Sequence, residues 1–181
     1  MSKITFILGG ARSGKSWYAQ KLAEDSGKLV TFIATAQAFD EEMKMRIEKH
    51  RADRPSHWQT CEVQKNIPAY LIQNQLQTQI YLLDCITLLA SNVFMQFIED
   101  DLVNETKAQT ALQNEIAELI KYIQQDDKEW IIISNEVGLG LVPPYQMGRV
   151  YRDVLGWANQ SLAKEADSVL FMVSGIPMKV K

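Results

Sequence analysis

Residues 9–16 read Gly-Gly-Ala-Arg-Ser-Gly-Lys-Ser and fill the spacing G-x-x-x-x-G-K-S/T of a phosphate-binding loop. The chemistry such a loop performs is anion capture. Gly9, Gly10 and Gly14 let the backbone wrap around phosphate oxygens, with Ala11, Arg12 and Ser13 completing the turn, and the first amides of the following helix point at the anion. Lys15 is then placed to reach the β- and γ-phosphates, and the Ser16 hydroxyl to take a position on Mg²⁺. The apolar run at 4–8 ends where the loop begins, which is the strand-loop-helix setting the motif requires.

Three further groups have chemical potential. Asp84 closes the apolar run at 80–84, the strand-plus-acid pattern of a second Mg²⁺ ligand, although strands also end in Asp for turn reasons. Glu136 sits between Asn135 and the glycines at 138 and 140; it reads equally as a general base, a substrate contact or an acid bracing a tight loop. The segment from Arg46 to Pro55 gathers cations around His50, with Arg46 and His50 on one helical face. A neutral imidazole there would be a nucleophile at phosphorus. A histidine near a helix C-terminus also serves simply to offset the dipole, and residue types alone leave both roles open. His57 has the weaker case for catalysis.

The elements that must position these groups follow from periodicity. Near-continuous apolar runs at 4–8, 29–34, 80–84, 130–134 and 169–174 predict buried strands of a parallel sheet covered on both faces. Helices are expected at 15–26, 40–51, 67–75, 102–124 and 146–166. In the fourth, Ala108, Leu112, Ile116, Leu119, Ile120 and Ile123 form one apolar stripe. Asp40, Glu41 and Glu42 crowd a helix start, where capping is the simplest role. The fold class is α/β, a three-layer arrangement like that of P-loop NTPases with a mostly parallel central sheet. In such a sheet, ligands sit beyond the carboxyl ends of the strands.

A chain of 181 residues without repeats or linkers reads as a single domain, 1–181, and a net charge of −3 gives no basic face for nucleic acid. There is no apolar run long enough for a membrane span and no leader pattern at the start, so a cytoplasmic location is expected. Cys61 and Cys85 stand far apart in no metal or redox spacing and are expected to be small apolar residues.

Taken together, several segments resemble one family, the bifunctional adenosylcobinamide kinase/adenosylcobinamide-phosphate guanylyltransferases of cobalamin biosynthesis. The resemblance runs nearly end to end. It is carried by the octapeptide at 9–16, Ile33-Ala-Thr35, Arg46-Ile with His50-Arg and Arg54-Pro, Trp58 with Thr60 and Glu62, Asp84-Cys-Ile-Thr87, Asn135-Glu-Val-Gly138 with Gly140, and Val173-Ser-Gly-Ile-Pro177. It implies two reactions at one nucleotide site. ATP or GTP phosphorylates adenosylcobinamide, and GTP then gives GMP to adenosylcobinamide phosphate through a GMP-histidine intermediate that matches His50. It further implies that Ala34, Thr35, Ala36, Arg51, Ala52, Asp53, Arg54, Glu62 and Asp84 line the GTP site, and that the chain assembles as a homo-oligomer, a trimer. Two rivals use the same loop: a small-molecule kinase that stops at phosphorylation, and a nucleotide-dependent switch. Neither has a use for His50.

Overall fold

Runs rich in Ile, Leu, Val and Phe become the strands, and the amphipathic stretches between them become the helices. The computed structural model describes every residue except Met1, Phe39, Asp53 and Asp101, and gives the backbone but not the side chain of Arg46. In chain order the elements are β1 (Lys3–Gly9), α1 (Lys15–Asp25), β2 (Val30–Ala34), α2 (Glu41–Ala52), β3 (Gln59–Glu62), α3 (Ile67–Asn74), β4 (Ile80–Asp84) and α4 (Ile86–Phe94). After a short 3₁₀ turn come β5 (Ile98–Glu99), β6 (Leu102–Val103), α5 (Glu105–Gln125), β7 (Glu129–Asn135), α6 (Gln146–Glu165), β8 (Ser168–Val173) and β9 (Ile176–Lys179).

Seven strands form one sheet in the order β3-β2-β4-β7-β1-β8-β9. Every neighbouring pair is parallel except β8 and β9. Side chains alternate across it, as strand geometry demands. Phe6, Trp130 and Ile132 face a core shared with Leu89 of α4, Ile116 and Leu119 of α5 and Leu155 of α6. Ile7, Ile131 and Ile133 face the opposite way, toward Ala19 and Ala23 of α1. Burying one Ile or Leu side chain stabilises by about 1.5–3 kcal/mol, so the central strands β1, β4 and β7 are strongly fixed. Their carboxyl ends form a firm floor.

The expected strands and helices are present with small shifts at their ends. The helix expected at 102–124 starts later, at Glu105, because Leu102 and Val103 pair antiparallel with Glu99 and Ile98. Asn104 then caps the helix, its Oδ1 accepting from Lys107 N–H at 3.1 Å. Five residues of the α5 stripe are buried, while Ile120 is only partly so. Asp40 does cap α2, accepting from Met43 N–H at 2.7 Å. Cys61 and Cys85 are free and buried. Among the described residues no helix is long and apolar enough to cross a membrane.

Candidate active site

The phosphate loop leaves β1 at Gly9, which pairs with Asn135 on one side and Met172 on the other. A Cβ at Gly9 would lie 2.7 Å from both the Met172 carbonyl oxygen and Ser13 Oγ, so only glycine fits. Gly14 has φ +92°, and a Cβ there would meet Gly175 Cα at 3.1 Å. The turn between β8 and β9 is tied to this point, with Gly175 N–H donating to the Ser13 carbonyl at 2.9 Å. Among the described residues no side chain caps the start of α1, which leaves the amides of its first turn facing the loop, as anion capture requires. Lys15 is buried and donates from Nζ to the Gly10 carbonyl at 2.6 Å and to Ser13 Oγ at 3.4 Å.

Asp84 ends β4, and β7 lies between that strand and β1. Burial pushes its carboxyl above the ordinary range, and the neighbouring Ser16, His50, Arg54 and Lys15 pull it back. The peptide after it, Asp84–Cys85, is cis.

Loop, strand ends and α2 enclose a cleft of about 490 Å³. Of the residues singled out from sequence, it is lined by Ala11, Arg12, Ser13, Gly14, Lys15, Ser16, Ala34, Ala36, His50, Arg54, Glu62 and Asp84. His50, from the last turn of α2, thus shares one cavity with the phosphate loop. Arg54 lies over the Phe32 ring, its guanidinium carbon 3.8 Å from the ring centroid. Burial lowers its pKa, with the carboxylates of Asp84 and Glu62 opposing that and Arg51 adding to it. Its Nε and Nη1 are buried and have no hydrogen-bond partner among the described residues. Leaving such donors unpaired costs about 1–3 kcal/mol or more for a charged group, so this cation fits a site made for an anion.

Other expected residues lie elsewhere. Gly9, buried at the end of β1, and Gly10, which is exposed, do not line the cleft. Thr35 is fully buried, donating from Oγ1 to the Cys85 carbonyl at 2.8 Å and accepting from Cys85 N–H at 2.8 Å. It staples β2 to the end of β4 and does not face the cavity. Arg51 pairs with Glu62 at the half-exposed rim, Ala52 is exposed, and Asp53 lies outside the described residues. Glu136 accepts from Gly138 N–H at 2.6 Å through Oε1, which makes it the brace of its own loop. Trp17, Phe32, Met43, Ile47, Leu88 and Asn135 also line the cleft. Of these, sequence reasoning pointed only to the segment that begins at Asn135, as one that follows a strand, and gave Asn135 itself no role; the others are ordinary apolar residues that meet only in three dimensions. A second cavity of about 330 Å³ lies at the opposite strand ends beside the Lys28–Glu129 ion pair and contains none of these candidates.

Residues 5–180 match the family described as cobinamide kinase / cobinamide phosphate guanyltransferase. The chain belongs to this family. It is therefore a transferase of cobalamin biosynthesis. It is 38% identical over 181 residues to the bifunctional adenosylcobalamin biosynthesis protein CobU of Escherichia coli, covering 98% of this chain and 99% of the relative. It is 41% identical over 175 residues to the bifunctional adenosylcobalamin biosynthesis protein CobP of Pseudomonas aeruginosa, covering 97% and 95%. The CobU protein of Salmonella typhimurium is 36% identical over 181 residues, covering 98% and 99%. Within this cobinamide kinase and guanyltransferase chain, the phosphate loop, Asp84, Arg54 and His50 are the groups whose chemistry suits transfer at phosphorus.

Proposed function

We propose that one cleft performs both reactions of the family in turn. In the first, a hydroxyl of adenosylcobinamide attacks the γ-phosphorus of ATP or GTP; the new O–P bond forms as the β–γ bridging bond breaks, and the nucleoside diphosphate leaves. In the second, a nitrogen of His50 attacks the α-phosphorus of GTP and pyrophosphate leaves. The phosphate of adenosylcobinamide phosphate then displaces the histidine, giving adenosylcobinamide-GDP. The observation that carries this reading is that His50 and the loop at 9–16 line the same cavity.

The roles follow from chemistry. The amides of the loop and Lys15 stabilise the charge that develops on either departing group. Arg54 supplies unpaired donors to phosphate oxygens. The Ser16 hydroxyl and the Asp84 carboxyl are hard oxygen groups that line the same cleft, and such a pair suits Mg²⁺, which takes few protein ligands and completes its shell with phosphates and water. When bound there, the ion would neutralise phosphate charge. Ala34 and Ala36 line the nucleotide wall, with Glu62 and Arg51 at its rim.

Three assignments accompany this reading: one domain over 1–181, a cytoplasmic location and a homotrimer. Mass measurement in solution tests the last. The covalent step is tested with α-labelled GTP and Mg²⁺. Acid-labile, base-stable label on the wild-type protein is expected, together with none on His50→Ala; label on the variant at the wild-type level overturns the histidine assignment. Formation of phosphate ester without adenosylcobinamide-GDP would reduce the enzyme to a kinase.

A further inference from the structure

The strand between the phosphate loop and Asp84 ends in a residue that belongs to a segment carrying the family resemblance but to which neither the motif nor the resemblance gives a role. Asn135 is the last residue of β7, paired in register with Gly9. Its neighbour strand on the other side aligns Asp84 with Ile133. Asn135 therefore stands two residues beyond the level of Asp84 and one strand over, about 8 Å away by strand spacing. Alternation fixes its face. Ile131 and Ile133 point toward α1, so Asn135 does too, as do Ile80, Leu82 and hence Asp84 on β4. It lines the same cavity as Lys15 and Asp84.

The backbone that aims it is held from behind by two side chains of other elements. Asn135 N–H donates to Thr87 Oγ1 of α4 at 2.7 Å, and the Asn135 carbonyl accepts from Asn159 Nδ2 of α6 at 3.0 Å. Thr87 is itself anchored, its carbonyl accepting from the Tyr151 hydroxyl at 2.8 Å. Thr87 and Asn159 are buried, and Asn159 Oδ1 has no partner among the described residues. Polar groups on two helices, α4 and α6, converge on the backbone of one residue, Asn135, that lines the cleft. Such outlay of buried polarity around a strand end marks a position whose geometry matters.

We propose that Asn135 is a catalytic residue of the phosphorylation step, its carboxamide bridging the γ-phosphoryl group and the attacking hydroxyl. The assignment rests on the bifunctional reading above. The amide N–H donates to a γ-phosphoryl oxygen, and Oδ1 accepts from the substrate hydroxyl and lines its oxygen up with phosphorus. The O–P bond forms, the β–γ bridging bond breaks, the diphosphate leaves and the hydroxyl proton passes to water; Asn135 takes no proton. An uncharged amide suits this place, because a second carboxylate next to Asp84 would repel the phosphate. Guanylylation of His50 occurs at the α-phosphorus and does not need this contact.

The test compares Asn135→Ala and Asn135→Asp with wild type in two assays on the full chain: steady-state phosphorylation of adenosylcobinamide, and labelling of His50 from α-labelled GTP. The expected result for Asn135→Ala is a fall in kinase kcat of about 100-fold with KM within about threefold, while His50 labelling falls by about threefold or less. Asn135→Asp, nearly isosteric, should be the more damaged of the two. If both variants keep kinase kcat within about threefold of wild type, or if labelling falls as far as phosphorylation, the assignment is wrong. Thermal unfolding of both variants near the wild-type midpoint is expected; a shared collapse in stability would make Asn135 a structural residue and overturn it as well. Wild-type protein that makes no phosphate ester would instead overturn the bifunctional reading.

Discussion

The two halves of the cleft are built in contrasting ways. The phosphate loop is wedged into the core: Gly9 is in contact with Met172 and Ser13, Gly14 is pressed against Gly175, and Lys15 is buried. Helix α2, which presents His50 from the other side, has no buried side chain among its described residues. It is held by its Asp40 cap, by acids in its first turn and bases in its last, and by the rim pair of Arg51 with Glu62. The phosphate loop is preformed, whereas His50, the proposed guanylyl carrier, is mounted on a helix with little share in the core. Specific geometry in the one is a matter of packing, and in the other of surface electrostatics.

The largest expected effect sets the two halves against each other directly. Lys15→Ala should lower both phosphorylation and guanylylation by about 10³-fold or more, since one loop serves both departing groups; survival of either reaction near wild type, assayed with purified substrates, would mean two sites. His50→Ala should remove guanylyl transfer while leaving phosphorylation within about tenfold, and its unfolding free energy should change by about 0.5 kcal/mol or less because it sits on an unburied helix. Gly14→Ala should instead destabilise by about 1–3 kcal/mol in urea unfolding, through the positive φ and the contact with Gly175. Backbone amides of α2 should exchange with solvent about 100-fold faster than those of β1. Equal protection of the two would erase the contrast.

The smallest effect concerns the scaffold behind the loop. Glu115 of α5 is buried and accepts from Asn66 N–H at 2.7 Å at the start of α3. Burial raises its pKa above the ordinary 4.5, with the amides of Asn66 and Ile67 opposing. Its folded form therefore holds a proton more tightly than its unfolded form, so this contribution to stability is complete below pH 4.5 and is lost as pH rises through the raised value. Glu115→Gln should flatten that decline in a pH series of unfolding free energies. An unchanged slope would show that the carboxyl titrates normally.

Those elements that carry the core were the legible ones. Runs such as Ile131-Ile-Ile133 leave no alternative to a buried strand, and the phosphate loop announces itself by glycine and lysine spacing. What escaped notice was irregular in pattern. Strand β3 is a four-residue edge with only Cys61 buried, and β9 contains Pro177, tolerable only because it lies at the sheet edge. Helix α4 begins two residues after β4 ends and is apolar on nearly every side, so periodicity could not separate it from the strand before it. In the site, Asp84 was readable as strand-plus-acid. His50 was a candidate from its cationic helix end, with the resemblance favouring the nucleophile over the dipole role, and Thr35 proved to be a staple because its hydroxyl partner, the backbone of Cys85, is distant in sequence.

The bond from Gly175 N–H to the Ser13 carbonyl makes the outermost edge of the sheet a splint for the phosphate loop. Strand β9 exposes Ile176 and Met178 to the surroundings, yet the turn that starts it is fastened to the loop backbone. A substitution scan scored by nucleotide affinity would therefore flag positions on this edge as though they touched phosphate. Tags, cross-links or bound antibodies placed there would act as remote handles on the catalytic loop.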